Sequence, residues 1–122
     1  MKENIILVKS YKFALKVIAV YKELIYQKKE FVLSKQFLKC GTSIGANLEE
    51  SAGGQTDKDF YTKISISYKE AREAHYWIRL LRDSMFLDKN TADDVLKDCE
   101  ELLRILTAIK NTLKRKFNKQ GN

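Results

Sequence analysis

The chain has 122 residues, 44% of them hydrophobic, and a formal net charge of +7. That is enough apolar material for one modest core without a disulfide or metal framework. No run of about 18 apolar residues offers a membrane span, and Met1 to Val8 is too short and too soon interrupted by Lys9 and Lys12 for a secretory signal. A cytoplasmic location is therefore expected.

With no Pro, five Gly and no alternating strand pattern, the sequence reads as a single all-α domain. The first helix is expected over about residues 4–27. Two stripes compete on it: Tyr11, Leu15, Ile18, Tyr21 or Lys22, and Ile25 form the first, while Phe13, Val17, Val20 and Leu24 form a second. Such a helix is apolar over more of its circumference than one bundle requires, so the second stripe is expected to be buried between subunits. The second helix, about 34–51, takes Ser34 as N-cap and carries Phe37, Cys40 or Gly41, Ile44, Leu48 and Ser51 on one side. Gly41 and Gly45 share a face, and each costs about 1 kcal/mol against Ala. They read as the site of a close helix approach, expected near Ala71 and Ala74. A phosphate cradle is disfavoured, because no strand precedes them and no Lys-Ser/Thr follows.

Gly53-Gly54 should end that helix. Thr56 with Asp59 resembles a capping box, with Asp replacing the usual Glu, and opens a third helix over about 57–85. Its principal stripe is Phe60, Ile64, Ser67, Ala71, Ala74, Ile78 and Leu81. Tyr61, Ile66, Tyr68, Tyr76, Trp77 and Leu80 surround that stripe and suit contacts on two sides. The fourth helix, about 91–117, is expected to start at Thr91 with Asp93 and Asp94 in its first turn. Val95 or Leu96, Cys99, Leu102 or Leu103, Leu106, Ile109, Leu113 and Phe117 form its stripe, and the residues after Phe117 should fray. Short links between such helices predict an up-down-up-down antiparallel four-helix bundle.

The chemistry-bearing residues are few. His75 is the single histidine, and no Glu-x-x-His pair accompanies it, which argues against di-iron and zinc chemistry. Cys40 and Cys99 sit on apolar stripes and read as reduced core thiols. Glu49, Glu50, Glu70 and Glu73 suggest either an acid/base pair or, in better accord with how buried charge is paired, a network with Lys69, Arg72, Arg79 or backbone groups that sets helix register. No enzyme activity, metal or cofactor is expected.

The charge is segregated. Residues 1–48 hold nine Lys against three Glu, net +6; residues 49–101 hold eight basic against thirteen acidic, net −5; residues 102–122 hold six basic and no acidic, net +6. Such polarity can steer polyanions to a surface or make subunits attract one another. Arg72 and Arg79 lie seven apart on one helical face, and Lys9, Lys12 and Lys16 form a ladder on the first helix. Lys110, Lys114, Arg115, Lys116 and Lys119 gather where cations also favour the negative end of the helix dipole. The phosphate-contact candidates are Arg79, Arg82, Lys110, Lys114, Arg115 and Lys116.

The segments Thr42-Ser43-Ile44-Gly45-Ala46-Asn47-Leu48-Glu49-Glu50, Asp59-Phe60, Lys63-Ile64-Ser65-Ile66, Lys69-Glu70-Ala71-Arg72-Glu73 and Tyr76-Trp77-Ile78-Arg79-Leu80-Leu81 carry a further signal. This pattern resembles the bacterial four-helix-bundle family of 23S rRNA intervening-sequence proteins and is similar to the accessory variability determinant of diversity-generating retroelements. The resemblance implies an up-down bundle, a ring-shaped homopentamer and a basic surface for RNA or DNA. For the retroelement branch it implies a scaffold or accessory role towards a reverse transcriptase. Phe13, Val17, Gly41, Gly45, Asn47, Glu50, Tyr68, Glu70, Glu73 and Trp77 are the expected structural or subunit-interface residues.

Overall fold

Four helices, α1 (Lys2–Tyr26), α2 (Leu33–Ser51), α3 (Asp57–Asp83) and α4 (Lys89–Gln120), account for nearly the whole chain. They are seen in a computed structural model that describes residues 2–51 and 56–120. The terminating role expected of Gly53-Gly54 lies outside those residues. Each helix packs on the next in chain order, and α4 returns to α1. The pairings run in opposite directions at every seam: Val17 and Ser10 of α1 meet Gly41 and Gly45 of α2, and Ile44 of α2 meets Ser67 of α3. Tyr61 and Arg82 of α3 meet Phe117 and Asp93 of α4, and Lys9 and Lys16 of α1 meet Glu101 and Asp94 of α4. The bundle is therefore antiparallel throughout.

Three helices bury the stripes that their periodicity predicts. Phe37, Cys40, Gly41, Ile44, Leu48 and Ser51 are buried on α2, and Ile64, Ser67, Ala71, Ala74, Ile78 and Leu81 on α3. On α4 the core residues are Ala92, Val95, Leu96, Cys99, Leu102, Leu106, Ile109 and Leu113. The first helix departs from expectation. Phe13, Val17, Val20 and Leu24 fill the interior, whereas Tyr11, Leu15 and Ile18 of the other stripe stay exposed. Periodicity cannot choose between two apolar stripes, but packing can. The inner stripe includes Ser10 and the compact Val17, which fit the glycine face of α2, while Tyr11 on the outer stripe keeps its hydroxyl in water.

That glycine face also meets a different helix from the one expected. A Cβ added at Gly41 would lie 2.7 and 2.8 Å from the two methyls of Val17, and one at Gly45 would lie 3.3 Å from Ser10 Oγ. The close approach is thus made by α1, not by Ala71 and Ala74 of α3. Ala71 instead serves a close contact with α4, in which Cys99 Sγ lies 3.3 Å from its carbonyl, and Ala74 is buried in the core.

Helix ends are fixed by residues one turn earlier than the expected caps. At α2 the buried Glu30 carboxylate accepts from the backbone N–H groups of Val32, Leu33 and Ser34 at 3.1, 3.0 and 2.6 Å. Ser34 is no cap: its hydroxyl donates to the Glu30 carbonyl at 2.7 Å. At α4 the cap is Asp88, which accepts from Thr91 N at 3.2 Å, so Thr91 lies inside the first turn. Asp93 and Asp94 then fall in the second turn, where they pair with Arg82 and Lys16. Thr56 caps α3 as expected, accepting from Asp59 N at 3.1 Å. The α3 terminus has Met85 in the left-handed region at φ 67°. Phe86 N donates to Leu81 O and Met85 N to Arg82 O, both at 3.0 Å, the paired bonds of a Schellman ending. At the far end, α4 runs three residues beyond Phe117 to Gln120.

Two expectations test this packing. Gly41→Ala should lower unfolding stability by about 1–2 kcal/mol, since overpacking against the stiff Val17 outweighs the gain in helix propensity. Gly45→Ala, which meets only a small hydroxyl, should stay within about 1 kcal/mol of the parent. Urea denaturation separates the two, and adding Val17→Ala to Gly41→Ala should relieve the steric part.

Glu30 gives the second expectation. Burial opposes its ionisation, but the backbone donors of Leu33, Ser34 and Val32 outweigh burial and hold the carboxyl below its ordinary value of 4.5. Because the folded pKa is depressed, this contribution is complete above the unfolded pKa and is lost as pH falls through the lower folded value. Glu30→Gln should cost about 1.5–3 kcal/mol at neutral pH. In thermal melts it should also flatten the acid limb of the stability profile.

Candidate functional site

Pairing sorts the cations of this chain into two groups. Lys9 bridges to Glu101 at 3.2 Å, and Lys16 to Asp94 and Asp98 at 2.8 and 2.6 Å. Two members of the ladder expected on the first helix are thus spent along the α1–α4 seam, while Lys12 lines a recess with Leu7, Val8, Tyr11 and Glu49 on the α2 side. Hydrogen bonds to Asp94 and Asp98 raise the Lys16 pKa above its ordinary value. Of the phosphate-contact candidates, Arg82 is held by Asp83 at 2.9 Å and Asp93 at 3.2 Å, and Lys116 by Asp57 at 2.7 Å. These two sites close the ends of the α3–α4 seam and leave neither cation free for a ligand.

Between them lies a row that makes no ion pair among the described residues, although Arg79, after Arg82, helps to hold the Asp83 carboxyl below its ordinary value. Lys110 Nζ sits 4.6 Å from the centre of the Tyr68 ring, and Arg72 Nη1 is 3.4 Å from the hydroxyl of the same tyrosine. Arg79 Nε donates to the His75 carbonyl at 3.4 Å, with its guanidinium carbon 5.9 Å from the centre of the Tyr76 ring. Arg72, Glu73, His75, Tyr76, Arg79 and Leu103 line an open cleft of about 620 Å³ on this seam. His75 Nε2 lies 3.1 Å from Glu100 Oε2, and Trp77 Nε1 donates to Glu73 Oε2 at 3.2 Å. Helical spacing explains the gathering. Tyr68, Arg72, His75 and Arg79 recur at four, three and four residues and so share one side of α3.

Lys114 and Arg115 are exposed further along α4, with Arg115 Nη2 3.4 Å from Thr112 Oγ1. The set expected from sequence therefore divides: Arg79 lines the cleft, Lys110 stands at Tyr68 on the same seam, Lys114 and Arg115 lie further along α4, and Arg82 and Lys116 are consumed. Arg72 was absent from that set although its seven-residue separation from Arg79 pointed to it. Tyr76 was legible only as one of several flanking aromatics.

The carboxylates do not form an acid/base pair. Glu50 Oε1 takes Lys63 at 2.6 Å and Glu73 takes Trp77, so the register-setting partners differ from Lys69, Arg72 and Arg79. Glu70 is half-buried on α3, and Asn47 turns inward along its own helix, donating to the Ser43 carbonyl at 2.9 Å. Burial, reinforced by nearby Glu73 and Glu70 for Cys40 and by Glu100 and Asp98 for Cys99, pushes both free thiols up to about 12. Thiols so protonated are poor nucleophiles. Among the described residues no group of three His, Cys, Asp or Glu side chains could hold a metal ion, and no helix is long and apolar enough to cross a membrane.

The second surface of interest is apolar. Phe13 and Val17 cannot face another subunit, because they are 1% and 0% exposed inside one chain. Tyr68 and Trp77 are half-buried against the core. The uncovered face is the other side of α1, where Ile5, Val8, Tyr11, Leu15 and Ile18 remain between 36% and 63% exposed. These residues recur every three or four positions and make one continuous outward stripe.

A family model described as "23S rRNA-intervening sequence protein" matches residues 2–108. A crystal structure of a protein of unknown function from the S23 ribosomal protein family of Bacteroides thetaiotaomicron is 39% identical. It covers 91% of this chain and 99% of its own, and superposes with a TM-score of 0.88. No curated protein matches the chain.

Proposed function

Because the chain belongs to the 23S rRNA-intervening sequence protein family, we propose that it is a non-enzymatic, oligomeric protein that binds RNA or DNA through backbone charge. The observation that carries this reading is the α3–α4 groove, where Arg72, Arg79 and Lys110 make no ion pair among the described residues while Arg82 and Lys116 beside them are neutralised. What sets these cations apart from the other unpaired lysines and arginines is their aromatic company, Arg79 at Tyr76 and Lys110 at Tyr68, and that combination suits a polyanion with aromatic bases. Lys114 and Arg115 extend the row along α4.

Copies of the chain assemble, in this reading, into the ring-shaped homopentamer that the family resemblance implies. The contact is the outward stripe of α1, because an apolar row of this length is costly to leave in water. A ring repeats the groove several times and raises affinity for a long strand through effective concentration.

Fluorescence anisotropy with labelled RNA and DNA across a salt series tests the binding. Affinity should fall with salt, with a log–log slope of about −0.7 to −0.9 per phosphate neutralised. Replacing both Arg72 and Arg79 with Ala should make that slope shallower by about one to two. Lys39→Ala, on α2 outside the groove, should change it less. No binding at low salt, or a flat salt response, would favour a scaffold that recruits a protein partner such as a reverse transcriptase.

Light scattering tests the assembly. The parent should give a mass several times that of one chain, and Leu15→Glu should shift it towards the monomer while leaving the melting temperature of the bundle nearly unchanged. A parent protein that is monomeric at micromolar concentration would overturn this part.

A further inference from the structure

We propose that the α3–α4 cleft takes single-stranded rather than duplex nucleic acid, with one unstacked base against Tyr76 and the flanking phosphates at Arg72 and Arg79. This rests on the reading of the groove as a nucleic-acid surface and specifies the form it accepts.

Three features of the cleft support it. The first is size. A volume of about 620 Å³ falls within the range of roughly 300–1,000 Å³ typical of pockets for one small ligand. In a duplex each base is paired and stacked, and the grooves expose only its edge. A duplex would ride on the rims, with its bases stacked out of reach.

The second is the order of charge along the cleft. Arg72 and Arg79 are seven residues apart, roughly 10.5 Å along the helix, and Tyr76 falls between them on the chain. Between the arginines in the chain the lining holds one carboxylate, Glu73, which accepts from Trp77, and a second, Glu100, lies beside the lining at His75. Phosphate is repelled there. A base is not, because the exocyclic amines of adenine, cytosine and guanine are donors for a carboxylate oxygen. Cations at the ends with acceptors between them match one nucleotide and its two neighbouring phosphates better than an unbroken phosphate backbone.

The third is a braced platform. Tyr76 keeps 49% of its surface in solvent, while Trp77 packs against it edge-to-face with centroids 5.2 Å apart. A ring already fixed loses little freedom when a base stacks on it.

The test is anisotropy at low salt with a labelled oligoadenylate, an oligouridylate and a duplex of equal length. Both single strands should bind more tightly than the duplex, by about tenfold or more, and oligoadenylate, which carries the donor amine, more tightly than oligouridylate. Tyr76→Leu should weaken single-strand binding by about five- to hundredfold and leave duplex binding nearly unchanged, while Tyr76→Phe should retain the parent affinity. Circular dichroism melts establish that each variant is folded. Emission from Trp77, the single tryptophan, should respond to the single strands and not to the duplex.

Equal affinity for strand and duplex, still lowered by the Arg72 and Arg79 replacements, would overturn this inference and leave the broader function standing. A Tyr76→Leu variant with parental single-strand affinity would do the same. Failure of every probe to bind at low salt would remove the nucleic-acid reading itself.

Discussion

The close crossing of α1 over α2 is the constraint from which the rest of the molecule follows. Gly41 and Gly45 bring the two backbones together, and Val17 and Ser10 occupy the space where side chains would otherwise stand. Once that contact is made, the rotation of α1 is fixed: Phe13, Val17, Val20 and Leu24 must face inward, and Ile5, Val8, Tyr11, Leu15 and Ile18 must face outward. One packing decision therefore creates both the core and the exposed apolar stripe assigned to assembly. The other side of α1 is tied to α4 by Lys9 and Lys16, whose acidic partners lie on successive turns of α4. Partly exposed pairs of this kind add little stability singly, but they orient the seam.

Electrostatic pairing then does for the surface what packing does for the interior. The middle of the sequence is acidic and both ends are basic, and antiparallel folding lays these segments beside one another. Most of the acidic side chains on α4 meet cations from α1 or α3. Unpaired lysines and arginines remain on all four helices, and at Arg72, Arg79 and Lys110 they stand beside Tyr68 and Tyr76. A net charge of +7 would have allowed many basic surfaces, and the pairing leaves this one with aromatic rings among its cations.

Much of the fold could be read directly. The stripes of α2 and α4 were legible because each of those helices has one plainly richer face, so period and burial agree, and the α3 stripe was legible through its regular run Ile64, Ser67, Ala71, Ala74, Ile78 and Leu81 despite the aromatic residues around it. The Thr56 cap was legible because its partner lies three residues away. Other features escaped for definite reasons. Glu30 caps α2 through a carboxylate that reaches over a turn, with Lys29 at φ 56°, and no short-range pattern announces such a geometry. The helix facing Gly41 and Gly45 was misassigned because two small residues on α3 offered as plausible a neighbour as Val17 and Ser10. Half of the site was likewise visible: the seven-residue spacing put Arg72 and Arg79 on one face, yet the loss of Arg82 and Lys116 to Asp93 and Asp57 depends on residues from another helix.

By itself the sequence determined the helical class, the four segments, the buried faces of three of them and the family. Apart from the family, which the resemblance of the motif segments carries, these are set by local spacing, where each residue's role depends on neighbours three or four positions away. The tertiary structure alone decided which stripe of α1 is interior, which helix meets the glycines and which cations remain free. Those outcomes turn on contacts between residues far apart in the chain, such as Val17 with Gly41 and Arg82 with Asp93, where steric fit and charge pairing select among alternatives that periodicity leaves equal.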